Sequence, residues 1–130
     1  MQQVQKILKG RAMSKAKPLS DIFLVKSAFK KQYKRLYRSN DKKDLKAKKR
    51  LEEVFASLEK FQDVDAKYSP HTLKGNLDGC VAANILPDLR LIYSYAFVEI
   101  SKDNYSKKIV LIDLGNHNNV YSSFIEEFEV

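Results

Sequence analysis

Residues 80–95 read CVAANILPDLRLIYSY, and the fold turns on this stretch. Two apolar runs, 80–86 and 89–95, have strand length and are separated only by Pro87-Asp88. Proline presets a turn φ and aspartate is a favoured turn residue, so the spacing predicts a tight antiparallel pair. A third run, KIVLIDL at 108–114, has the same character, and SKDNYSK at 101–107 is predicted to be a polar hairpin loop. The second half of the chain is therefore a sheet, punctuated upstream by Pro70, Gly75 and Gly79.

Upstream of Phe61 the period changes to 3.6. Residues 22–25, IFLV, form a short strand-like run, and Ser27 follows as the expected helix N-cap. Phe29, Tyr33, Leu36 and Tyr37 then recur on one helical face, with lysines and arginines on the rest. Ser39-Asn40-Asp41 breaks this helix and caps a second, whose apolar face is Leu51, Val54, Phe55, Leu58 and Phe61. So short a connection predicts an antiparallel helix pair. Tyr121, Phe124, Ile125 and Phe128 have helical spacing and predict a short C-terminal helix. The order is strand, two helices, three strands, helix: an α+β class, with a domain at 21–130 preceded by a basic N-terminal extension at 1–20.

The 130 residues suit one domain with a hydrophobic core. No apolar run approaches the roughly 20 residues of a membrane span, and no signal-peptide pattern opens the chain, so the expected location is cytoplasmic. The lone Cys80 sits among small apolar residues as a buried thiol suits a reducing compartment. Residues 1–62 hold 18 Lys/Arg against 6 Asp/Glu, whereas 63–130 hold 6 against 10. The net charges are +12 and −4, so the first half presents a field for a polyanion.

One cysteine and two histidines exclude the four-ligand zinc patterns, and the chain has neither a phosphate-binding glycine loop nor a nucleophile elbow. What remains flanks the strand ends: His71, Asp88 and the segment around His117 and Tyr121. Metal-free RNA cleavage removes a proton from a ribose 2′-hydroxyl and returns one to the departing 5′-oxygen. Histidine titrates near neutrality and serves either step, with a carboxylate as base or orienting group. Nearby basic residues such as Lys74 supply charge for phosphate, and Tyr121 a stacking ring. Each also has an ordinary reading, as loop histidine, turn aspartate, surface cation or packing tyrosine.

The words His71-Thr72-Leu73-Lys74-Gly75, Asp78-Gly79, Pro87-Asp88, Leu91-Ile92-Tyr93 and Leu114-Gly115-Asn116-His117, in that order, resemble the YafQ branch of the RelE-like bacterial toxins. The likeness covers residues 21 to 121. It implies the toxin of a type II toxin-antitoxin pair: an mRNA interferase that enters the ribosomal A site and cuts the message. It also implies no cofactor or metal, and a cognate antitoxin that wraps the basic surface in a hetero-oligomer. By position His71, Asp88 and His117 fall on family catalytic residues, with His117 as general acid and His71 or Asp88 in the base and orienting roles. Tyr121 replaces a phenylalanine that contacts RNA.

Ala82 and Asn84 depart from the family pattern, where an aspartate and a histidine stand two residues apart on one strand face. Asn84 hydrogen-bonds to a phosphate or base but exchanges no proton at neutral pH, and Arg90 on the next strand is expected to offset some of the lost positive charge. The alternative is a RelE-fold protein that binds antitoxin or ribosome without cleaving RNA. A third reading, action on a DNA topoisomerase as in the ParE branch, is disfavoured by His71 and His117.

Overall fold

The computed structural model describes residues 19–75 and 78–116. The elements are β1 (Phe23–Val25), α1 (Ser27–Arg38), α2 (Lys42–Phe61), a 3-10 turn (Ala66–Tyr68), β2 (His71–Thr72), β3 (Cys80–Leu86), β4 (Leu89–Ser101) and β5 (Asn104–Gly115). The five strands form one sheet in the order β1-β5-β4-β3-β2. β1 runs parallel to β5 and every other pairing is antiparallel.

Helix α1 buries Phe29, Tyr33 and Leu36, one face at i, i+4 and i+7. Its last turn carries Arg35 and Arg38, which complement the negative end of the helix dipole. Ser27 is not the N-cap that the sequence suggests. Lys26 holds that position in extended conformation without a side-chain cap, and Ser27 is the first helical residue. Helix α2 buries Ala47, Leu51, Val54, Phe55 and Leu58 and ends at Gln62, which takes a left-handed conformation at φ 56°. Phe61, expected on that buried face, is instead 67% exposed at the helix end. The two helices run antiparallel, because contacts advance along α1 as they retreat along α2. Phe29 meets Phe55, the Tyr37 hydroxyl donates to Glu52 and Lys48 Nζ donates to the Ser39 carbonyl at 2.6 Å.

Strand alternation divides the apolar residues into two sets. Ala83, Ile85, Leu91, Tyr93, Ile109 and Leu111 pack with the helices, whereas Cys80, Ala82, Ile92 and Ile112 form a smaller cluster with Leu73 on the opposite face. Cys80 is buried there. The loop expected at 101–107 is mostly strand. The β4–β5 ladder continues to Ser101 opposite Asn104, leaving a two-residue turn at Lys102 and Asp103. Asp103 has φ 64°, and its N–H donates to the Glu99 carboxylate. Outside the sheet proper, both faces of this ribbon meet water, with Phe97, Ile100 and Tyr105 exposed. The one-sided apolar alternation that marks a half-buried strand is therefore absent.

Between β2 and β3 the chain reverses through Gly75 at φ +70° and Gly79 at φ +90°, conformations that side chains rarely adopt. The predicted C-terminal helix, and residues 1–18 of the predicted extension, lie outside the described residues. Among the described residues no helix is long and apolar enough to cross a membrane.

Leu51 is fully buried and Leu45, on the same helix, is 50% exposed. Chemical denaturation should show a loss of about 2–5 kcal/mol for Leu51→Ala. Leu45→Ala should stay within about 0.5 kcal/mol of the parent.

Candidate functional site

Register and alternation fix which sequence-selected residues share a face. Ala82 and Asn84, two apart on β3, fall on the same side of the strand by alternation; Ala82 packs in the cluster opposite the helices, and Asn84, at the strand edge, also lines a cavity with Arg50 and Glu53 of α2. His71 of β2 stands directly opposite Ala82, and Arg90 of β4 directly opposite Asn84. Cross-strand partners of this kind have Cβ atoms about 4.5–5.5 Å apart. Arg90, whose side the sequence leaves open, thus joins Asn84 rather than the helix layer.

His71 belongs to an exposed two-residue edge strand. Its Nδ1 lies 2.9 Å from the Ser69 carbonyl oxygen. A carbonyl only accepts, so this contact places the proton on Nδ1 and leaves Nε2 with the free lone pair when the ring is neutral. The residue also lines an open cavity of about 650 Å³ with Asp63, Tyr93 and Tyr95, and these two tyrosines belong to the helix side of the sheet rather than to the Ala82 face. Lys74 follows β2 and is exposed.

Ala82 is fully buried and carries no group for proton transfer. The Asn84 amide oxygen is buried with no hydrogen-bond partner among the described residues. Leaving such an acceptor unsatisfied costs about 1–3 kcal/mol, so a donor arriving with a ligand would be favoured there.

Asp88 lies in the turn between β3 and β4, where its carboxylate pairs with Lys43 of α2. The hydrogen bond from Lys43 holds the Asp88 carboxyl below the usual aspartate range, and the same bond raises the Lys43 ammonium. Both side chains are exposed, so the pair orients Asp88 more than it stabilises the fold. Asp88 borders a cavity of about 230 Å³ with Arg35, Lys43, Asp113 and Asn116. Four residues of strand separate Ala82 from Leu86, about 13 Å, so His71 and Asp88 occupy opposite ends of β3 and different cavities. Asn116 is the last described residue at the Asp88 end. His117 and Tyr121 lie outside the described residues.

Sequence reasoning missed Lys43 and Asp113. Lys43 carries no signal among so many lysines. Asp113 does: a single acid inside IVLIDLG is unusual, and it proves 4% exposed, with its carboxylate accepting from the Leu114 N–H at 2.8 Å. Among the described residues no three His, Cys, Asp or Glu side chains gather as metal ligands.

A family model described as the bacterial toxin of type II toxin-antitoxin system, YafQ, matches residues 23–122. No curated protein matches the chain. Among solved structures, a copper-bound mutant toxin from Helicobacter pylori is similar at 25% identity, covering 75% of this chain and 94% of that one with a TM-score of 0.56. The E. coli DinJ-YafQ complex is similar at 18% identity, 76% and 96% coverage and a TM-score of 0.55. The YoeB-YefM complex from Staphylococcus aureus is similar at 21% identity, 78% and 99% coverage and a TM-score of 0.56. Two helices on a five-stranded mixed sheet are thus the α+β fold of RelE- and YoeB-like toxins.

Removing Lys43 should raise the Asp88 pKa toward the ordinary aspartate value, and carboxyl NMR titration of Lys43→Met against the parent reads the change. Because the folded pKa is depressed, the pair's contribution is present above the unfolded pKa and is lost as pH falls through the folded one. An unchanged Asp88 titration would show that the pair does not form in solution.

Proposed function

Because the chain belongs to the YafQ family of bacterial type II toxin-antitoxin toxins, we propose that it is a ribosome-dependent endoribonuclease that cuts translated mRNA in the cytoplasm. The observation that carries this reading is the exposed His71 on the sheet edge, its Nδ1 committed to the Ser69 carbonyl, paired with Ala82 two residues along β3 from Asn84 and its partner Arg90. In the proposed reaction His71 or Asp88 assists removal of the 2′-hydroxyl proton, and that oxygen attacks the adjacent phosphorus. His117 protonates the departing 5′-oxygen, giving a 2′,3′-cyclic phosphate and a 5′-hydroxyl end. Arg90 and Lys74 neutralise the phosphate, Asn84 donates or accepts a hydrogen bond, and Tyr121 stacks a base. The bond changes balance without a metal or cofactor. The separation of His71 from Asp88 favours dividing the work, with His71 handling the proton and Asp88 orienting a group at the other end.

Antitoxin control is supported by the DinJ-YafQ and YoeB-YefM complexes, in which toxins of this fold are held by antitoxins. A cognate antitoxin here would cover the basic surface and form a toxin-antitoxin hetero-oligomer.

A second reading is a protein that binds ribosome or antitoxin without cleaving RNA. It is favoured by Ala82, buried where a proton-transfer group would stand, and by Asp88 being paired with Lys43 away from His71.

Induction without antitoxin should arrest growth and leave cuts within translated messages. His117→Ala should abolish the cuts, and His71→Ala should slow them by roughly 100-fold or more, the usual range for a proton-transfer group. Soluble protein that neither arrests growth nor cuts mRNA defeats the nuclease reading. Co-sedimentation with ribosomes under those conditions would establish the binder.

A further inference from the structure

Strand β3 follows β4 only as far as Ser94, which faces Cys80, and β1 follows β5 only over residues 109–111. Beyond these points the β4–β5 ribbon runs on with both outer edges uncovered among the described residues. The two edges differ. The β5 edge carries Lys107 and Lys108, and Lys108 Nζ donates to the Asp21 carbonyl at 2.9 Å, which lays its side chain across that edge. Edge lysines are one of the devices by which sheet proteins block further strand pairing. On β4, residues 96–101 read AFVEIS, without lysine, arginine or proline. Their single acid, Glu99, is turned back toward the hairpin, where its carboxylate accepts from the Asp103 N–H at 3.0 Å.

The unguarded edge is also apolar on both faces. Phe97 is 70% exposed and Ile100 65%, and alternation puts them on opposite sides of the ribbon. A helix or a small ligand covers one face at most. A second extended strand covers both at once and satisfies the outward backbone N–H and C=O groups between them.

We infer that the β4 edge is a self-association surface, on which residues 96–100 of two copies pair antiparallel about a two-fold axis at Val98. The first argument for a second copy is the register. Val98 then meets Val98, Ala96 meets Ile100 and Phe97 meets Glu99, so a small side chain faces a large one and no like charges face each other. The second is charge. The positive excess of the chain lies in residues 1–62, whereas residues 63–130, which include the ribbon, are net acidic. Antiparallel pairing sends the two basic helix layers to opposite ends of the joined ribbons, so two copies of a chain of net charge +8 repel least in this arrangement. A contact this short buries less than the roughly 1,200 Å² of a standard interface, so the dimer exchanges with monomer. The inference goes beyond the nuclease reading and does not depend on cleavage.

Sedimentation velocity of the full chain, freed of nucleic acid, should show a reversible monomer–dimer equilibrium in the micromolar range. Val98→Lys and Val98→Glu each set like charges against each other on the axis and should weaken the dimer roughly tenfold or more. An equimolar mixture of these two variants should restore a dimer with one copy of each, because opposite charges then meet. Ser106→Lys is the control. Ser106 faces Val98 from within the ribbon, on β5, and its variant should dimerise as the parent does. Both positions lie outside the two buried clusters, so all three variants should keep the parent's thermal unfolding. A parent that stays monomeric throughout the concentration series overturns the inference. So does a Val98→Lys variant that dimerises like the parent, or a mixture that stays monomeric. Species that grow beyond the dimer with concentration would show β4 pairing with β5 of the next copy, which overturns the closed two-fold pair.

Discussion

The ring of Phe55 lies 5.5 Å from Phe23, 6.2 Å from Phe29 and 5.9 Å from Tyr33, centroid to centroid, in tilted and edge-on arrangements. Three elements meet at this one side chain: β1, α1 and α2. Burying these rings gives the helix pair a fixed seat on the sheet, and tilted aromatic pairs add to the gain from area alone. β1 contributes only three paired residues to β5. Its parallel pairing depends on Phe23 being gripped from the helix side.

Once the helix layer is seated, the opposite face of the sheet is defined by exclusion. Alternation sends Ala83 and Ile85 into the core beneath the helices and keeps Ala82 and Asn84 out of it, so changes at these two positions need not disturb the main core. They are the two that depart from the family pattern. Ala82 packs with Ile92 and Leu73, and its methyl has become part of a small apolar cluster. The same seating brings α2 against the C-terminal end of β3: Lys43 reaches Asp88 in the turn, and Arg50 reaches the Ile85 carbonyl. A helix whose inner face is ordinary core thus uses its flank to set the electrostatics of the strand edge.

Much of the architecture could be read along the chain. The first hairpin falls where Pro87-Asp88 interrupts two apolar runs, and both helices follow their 3.6 period. The readings that failed did so for identifiable reasons. The β4–β5 ribbon looked like a loop because, with water on both sides, it has no buried face to impose alternation. Ser27 looked like a cap by residue type, but the chain enters α1 one residue earlier from β1, where the Lys26 N–H donates to the Leu111 carbonyl at 2.9 Å. Phe61 has the helical phase of a core residue and lies beyond the last turn that the sheet covers.

For the candidate site the division is sharper. Residue types alone identified His71 and Asp88, because few side chains in the sheet half can carry proton chemistry, and the family resemblance drew in Asn84 and Arg90. Only the tertiary structure decided that Asn84 and Arg90 are partners, that His71 presents Nε2 rather than Nδ1, and that Asp88 belongs to Lys43 at the far end of β3. Local sequence determines period, turn chemistry and the supply of functional groups, since these depend on neighbours within a few bonds. Which groups meet depends on strand register and on where α2 rests, and those are settled by burying side chains far apart in the chain.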